Sequence, residues 1–476
     1  MLNCLIRVTG IPMTKITLPP LLAGALLAGC AATHTPGAPD FSSFVVLGEQ
    51  GAATARVIGA LASCPQISID GLPRAMATRA RAATIAAQRP VAEPRDAKPA
   101  AFPVLTCEAA LPAGTRSAAV LGRALPVPAS RLRRIVVIGD TGCRMVRRDN
   151  QFQACNDPAA FPFAAIAAAA AAWEPELVVH VGDYHYREQA CPAGNAGCAG
   201  SPWGYGWDTW RDDFFGPARA LLGAAPWVMA RGNHESCKRA GQGYWRFLDP
   251  RPLLPRRDCN APADDALGDY SDAYAVPLGG DAQLIVFDTA NTHWRGFDRR
   301  DVRMRKYGAT YRQVEALTHG AAHNIGVNHH PILSLANFGT AAAPRLSGGD
   351  QGLIDAFGAV SPGLLPPKMS AILSGHIHQW EQISFSSGHP SQFVSGISGS
   401  AQGGAPLPSP LPPDASPAPG ARTENVSSWV NGFGYMTMER DGADSWDVRV
   451  WDRDGKLRNT CSLKGKKSLC EQAKIE

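Results

Sequence analysis

One pattern recurs along the chain and limits what it can fold into: an apolar run that stops on a short polar signature. Ile135-Val136-Val137-Ile138 runs into Gly139-Asp140-Thr141-Gly142, and Leu177 to Val181 runs into Gly182-Asp183-Tyr184-His185-Tyr186. Trp227-Val228-Met229 leads to Gly232-Asn233-His234-Glu235. Ile325 to Asn328 leads to His329-His330, and Ala371 to Ser374 leads to Gly375-His376-Ile377-His378. Runs this continuous suit strands covered on both faces, as in a mostly parallel sheet. An Ala-rich helical stretch, Ala159 to Trp173, and a second helical stretch around Trp207 to Leu222 lie between them. This alternation predicts an α/β core. In open α/β sheets ligands gather beyond the C-terminal ends of strands, and each polar signature sits at such an end.

The residue types at those ends point to metal chemistry. A pair of cations about 3.5–4 Å apart needs several oxygen and nitrogen ligands and a bridging anion. Asp140, Asp183, Tyr186, Asn233, one of His329 and His330, His376 and His378 offer carboxylate, amide, phenolate and imidazole donors, which suit hard or borderline ions.

The ordered series GD, GD, GNHE, a His loop and GHxH resembles the calcineurin-like metallophosphoesterase superfamily. The resemblance is closest to the purple acid phosphatase branch, where the first motif reads GDxG and the second GDxxY. Here these are Gly139-Asp140-Thr141-Gly142 and Gly182-Asp183-Tyr184-His185-Tyr186. It covers about 134 to 393 and implies a four-layer α/β/β/α sandwich that hydrolyses phosphate esters at a dinuclear site. Residue by residue, it implies a first metal held by Asp140, Asp183, Tyr186 and His378. The second would be held by the bridging Asp183, Asn233, His329 and His376. The phenolate implies iron(III) in the first position; the second metal is zinc, manganese or iron(II). His330 is the alternative to His329: a VxxH reading selects His330, whereas a His-x-Pro reading selects His329.

His234, next to a ligand position, is the expected proton donor to the leaving oxygen, with orientation of a ligand as the alternative. Arg187 and Arg231 flank motifs and are candidate phosphate donors. His185 is a candidate phosphate contact, and Asp288 and His293 are weaker site candidates. Glu235 and Glu381 are expected to buttress loops, and Tyr184 and Trp380 to pack the rim of the site. Phosphomonoester hydrolysis is the first functional expectation. Phosphodiester hydrolysis on the same metals is the alternative, and a non-catalytic binding lipoprotein is a remoter one.

The flanking segments set compartment and domain expectations. Arg7 and Lys15 precede an apolar stretch, Leu18 to Ala28, that ends in Leu27-Ala28-Gly29-Cys30. This reads as an export signal over 1–30 that resembles a lipobox, with a non-lipidated signal as the alternative. The expected location is the bacterial periplasm, or the outer membrane through a lipid anchor. Of twelve cysteines, Cys4 and Cys30 belong to this leader. The other ten fall into close pairs, Cys143/Cys155, Cys191/Cys198, Cys237/Cys259 and Cys461/Cys470, with Cys64 and Cys107 left for each other. Disulfides suit an oxidising compartment; no Cys-x-x-Cys supports the rival reading of a zinc cluster. Short β-like runs between Pro and Gly predict a small N-terminal β-sandwich over 31–130, with a helical insertion near Arg79 and Arg81 as an alternative. The catalytic domain is expected over 131–476, with a Pro-rich surface loop at 403–420. A net charge of +5 without a Lys/Arg run gives no nucleic-acid track. The expected partner is therefore a small phosphate ester, with oligomeric state undetermined.

Overall fold

The computed structural model describes residues 41–87, 97–147 and 150–471. The leader, including Cys30, lies outside them. The strand Arg134–Ile138 shows why its sequence is apolar throughout. Ile135 and Val137 face one hydrophobic cluster while Val136 and Ile138 face another, all at most 1 % exposed. Arg134–Ile138, Leu177–His180 and Trp227–Met229 pair in parallel, in that order, at the centre of an eleven-stranded sheet. A seven-stranded sheet carries a second parallel set, Ala282–Val286, His323–Val327, Met369–Ser374 and Ser391–Ser395.

Between the sheets, Ile135, Val137 and Val179 pack with Leu284, Ile325, Leu373 and Phe393. On the outer face of the larger sheet, Val136 and Ile138 meet Phe163 and Ile166 of the helix Phe163–Ala172. On the outer face of the smaller sheet, Ile285 and Ile372 meet Tyr311 and Val314 of Val302–Leu317 and Phe357 of Gln351–Gly358. These helices start where the sequence supplies caps: the Asp301 carboxylate accepts from Arg303 N at 2.9 Å and Asp350 from Leu353 N at 2.9 Å. The arrangement is the expected α/β/β/α sandwich.

Three expectations need correction. The expected helix at Trp207 to Leu222 is broken into Trp207–Trp210, a π-helical turn Arg211–Phe215, and Arg219–Leu222. Arg79 lies on the strand Ala77–Ala80, not in a helical insertion. The N-terminal segment is β-rich as expected, yet most of its long strands are not a separate sandwich. Phe41–Leu47 pairs in parallel with Trp227–Met229, and Ala53–Gly59, Leu105–Leu111 and Ala77–Ala80 extend the same large sheet. A separate four-stranded sheet between 66 and 125 is the part that stands outside it. The 403–420 segment forms no named strand, but Leu407, Leu411 and Ala418 pack against the outer cluster of the smaller sheet.

Ten cysteines form five disulfides: Cys64–Cys107, Cys143–Cys155, Cys191–Cys198, Cys237–Cys259 and Cys461–Cys470. Thiol labelling of native, unreduced protein should therefore find none of these ten free. Reduction should lower stability by about 2–4 kcal/mol for each bridge lost; quantitative labelling at several positions would refute the framework. Among the described residues no helix is long and apolar enough to cross a membrane.

Candidate metal centre

The C-terminal ends of the two parallel strand sets meet, and there the motif loops converge. Asp140, Asp183 and Asn233 follow strands of the larger sheet; His329 and His376 follow strands of the smaller. Asp140, Asp183 and His376 adopt left-handed backbone conformations, with φ of 55°, 59° and 70°. Non-glycine residues hold such φ values at a cost of about 1–3 kcal/mol each, a strain typical of functional sites. Two glycines let the loops close. A Cβ on Gly232 would lie 2.1 Å from Asp183 Oδ1, and one on Gly375 would lie 2.5 Å from Asp140 Oδ2.

Around Tyr186, Oη lies 2.8 Å from Asp140 Oδ1, 2.9 Å from Asp183 Oδ2 and 2.8 Å from His378 Nε2. His378 Nδ1 is 2.6 Å from the Ala401 carbonyl, so Nδ1 carries the ring proton and Nε2 presents a lone pair. A phenol has one proton to donate, which cannot serve all three neighbours. Beside this group, His329 Nδ1 donates to the Val181 carbonyl at 2.9 Å, which turns Nε2 toward Asp183 Oδ2 at 3.0 Å and Asn233 Oδ1 at 3.1 Å. His376 Nδ1 lies 3.0 Å from the same Asn233 oxygen. His330 contacts Thr289 Oγ1 through Nδ1 at 3.2 Å, and its ring lies 4.2 Å from that of His376. The donor atoms of Asp140, Asp183 and His329 lie close enough to hold one ion, as do those of His329, His330 and His376. Two neighbouring clusters of lone pairs, each short of protons, fit a pair of cations.

The electrostatics agree. Burial alone would raise the Asp183 carboxyl, but His329 and His234 hold it well below the usual carboxylate range. Burial opposes a charge on His329, yet the Asp183 carboxylate and then Asp140 push it up to about 9. Burial, Asp140 and Asp183 drive the Tyr186 phenol well above 10. The cluster carries an excess of negative charge, which bound cations would offset.

Carboxylates brace the loops from below. Glu235 accepts from the amides of Asp183, Tyr184, His185 and Gly232 at 2.9–3.2 Å, and Glu381 accepts from Leu335 N at 3.1 Å. Asp213, which no motif marks, accepts from the amides of Cys143, Tyr186 and Arg187 at 2.7–3.0 Å.

Several expected contacts are redirected. Arg187 binds Asp213 at 2.7 Å and Arg231 binds Asp288 at 2.6 Å, so both candidate phosphate donors are committed to buried carboxylates. Asp288 is thereby a structural partner, and His293 sits in an exposed loop. His185 is fully buried beside the rings of Tyr205 and Trp210. Tyr184 and Trp380 are fully buried, with Tyr184 stacked on His180, and belong to the core instead of the rim.

His234 contacts Glu188 Oε1 through Nδ1 at 2.9 Å, and its Nε2 lies 3.8 Å from Asp183 Oδ2. Its ring packs on Tyr186 with centroids 3.9 Å apart. Glu188 and Arg239, which meet at 2.6 Å, complete its surroundings. Neither lies in a motif, and no sequence signal would have singled them out.

A family model for the calcineurin-like phosphoesterases matches residues 133–380. The chain belongs to this family. As a calcineurin-like phosphoesterase it is a hydrolase of phosphoric esters, and the family implies a dinuclear metal site. Among solved structures it resembles a purple acid phosphatase from yellow lupin (Lupinus luteus) seeds. The two are 13 % identical with a TM-score of 0.51, over 90 % of this chain and 74 % of that one. It also matches PhoD, at 12 % identity and a TM-score of 0.49 over 91 % and 92 % of the two chains. No sequence match to a curated protein was found. The lupin structure, at this identity, supports the shared fold.

Proposed function

We propose that this calcineurin-like phosphoesterase is an exported, acid-phosphatase-like phosphomonoesterase with iron(III) at one of its two metal positions. The observation that carries the reading is the Tyr186 hydroxyl, set within 2.9 Å of Asp140, Asp183 and His378 donor atoms. In this reading Asp140, Asp183, Tyr186 and His378 hold the first metal. Asp183 is shared with the second, held also by Asn233, His329 and His376, while His330 stands beside His376. The second metal is zinc, manganese or iron(II). Such a pair supplies Lewis acidity toward phosphoryl oxygens and lowers the pKa of water.

The chain's own groups handle the proton. Glu188 accepts from Nδ1 of His234 at 2.9 Å. In the doubly protonated imidazolium form, which burial and Arg239 oppose and Asp183 and Glu188 favour, Nε2 would have a proton to give to the departing oxygen. The Tyr186 ring against the imidazole limits its rotation. Five disulfides support an oxidising compartment; the leader suggests the periplasm or a lipid-anchored form at the outer membrane.

Purified protein assayed on paired aryl phosphate monoester and diester substrates, with metal analysis of the same sample, tests the reading. It should favour the monoester and hold about two ions per chain, iron among them. A diester preference would overturn the monoesterase assignment. Tyr186→Phe should abolish visible absorption while the fold persists, because a phenolate on iron(III) is the expected source of colour. A colourless, fully active wild type holding only zinc or manganese would remove iron from the proposal.

A further inference from the structure

Arg239 is a cation beside His234 whose charge is not closed off by carboxylates on all sides. Glu188 takes only its Nε, at 2.6 Å, and its side chain remains 26 % exposed. Nη2 lies 2.7 Å from His234 Nδ1 and 2.8 Å from Nε2. Nη2 is thus engaged with the imidazole and Nε with Glu188, while among the described residues no partner is seen for Nη1. His234 Nε2 in turn lies 3.8 Å from Asp183 Oδ2, so Arg239 stands one imidazole away from a proposed metal ligand.

The segment that carries Arg239 is held in place. Ser236 and His234 carbonyls accept from the amides of Arg239 and Ala240 at 2.9 and 2.8 Å. Cys237 is bonded to Cys259, and its amide donates to Asp269 at 2.7 Å. A permanently charged guanidinium on a fixed segment, with Nη1 still to be engaged, suits a phosphate oxygen.

We propose that Arg239 is a substrate-binding residue that takes the anionic phosphoryl oxygen of a phosphomonoester dianion. It thereby favours monoesters over diesters, in which an ester-linked group replaces one charged oxygen. The proposal rests on the metal-centre reading above and names the substrate class that centre selects.

The test uses metal-loaded protein, calorimetric binding of inorganic phosphate, and kinetics on aryl monoester and diester substrates. Arg239→Met should keep about two metals per chain but weaken phosphate binding and raise monoester KM by about 10- to 100-fold, the range for a charge-assisted contact. The diester kcat/KM should fall by only about a few-fold, since it lacks the second charged oxygen of the monoester dianion. Arg239→Lys, which keeps the charge, should recover part of the phosphate affinity and guards against a folding defect in the Met variant. Unchanged phosphate affinity, with equal losses on both esters, would overturn the contact and leave Arg239 as a brace for His234. A wild type that prefers diesters would instead overturn the monoester assignment, while phosphate calorimetry would still decide the Arg239 contact.

Discussion

Asp183→Ala should give protein that holds neither metal and has lost activity by more than about 10³-fold, beyond what one electrostatic donor is usually worth. Asp183 reaches both halves of the centre: Oδ2 is 2.9 Å from Tyr186 Oη and 3.0 Å from His329 Nε2, and Oδ1 accepts from His234 N at 2.9 Å. Without a shared carboxylate, two close cations would repel across the gap with no anion between them. Asn233→Ala removes a contact made only on the His329 and His376 side. It should mainly weaken the second metal and leave the first. Metal content measured on both variants decides the matter: comparable retention would mean that Asp183 is not the bridge.

His234→Ala should keep both metals and lose turnover by about 10²–10⁴-fold, the usual worth of a positioned acid. The loss should be greatest with alkyl leaving groups, which need a proton as they depart. It should shrink for nitrophenolate, which leaves as an anion unaided. This split follows from the proposed role, in which Glu188 holds Nδ1 and Nε2 is the nitrogen that would give up the proton. Equal losses on both substrate kinds, with metals intact, would assign His234 to orientation. Loss of metal would place it among the ligands.

The strands that carry the motif loops were legible because each is buried on both faces, and a run such as Ile135 to Ile138 leaves no polar alternation to confuse the reading. The loops were legible because the family's chemistry is written in short contiguous signatures. Glu188 and Arg239 were not, since their roles arise only when two loops fold together. The N-terminal segment is β-rich as expected, but where its strands pair is not legible for a similar reason: propensity identifies a strand but not its partner, and pairing with Trp227–Met229 is non-local. One sign was present. Phe44, Val45, Val46 and Leu47 form an unbroken apolar run, which suits a strand covered on both faces better than one in a small exposed sandwich. Tyr184 and Trp380 are expected at the rim because they adjoin ligand motifs, whereas the loop after Leu177–His180 turns Tyr184 onto His180 and Trp380 faces inward from the strand Trp380–Phe385.

The sheet order also sets when this centre can exist during synthesis. The strand that presents Asp140 has Leu177–His180 on one side, but its other neighbour is Gly434–Arg440, with Arg134 opposite Glu439. Until that late segment is available to pair, the Asp140 strand is an open edge able to pair with the wrong chain. Contacts so distant along the polypeptide slow folding. A nascent chain that stops before the Gly434–Arg440 strand would contain every proposed metal ligand and still lack the neighbour that steadies the first of them.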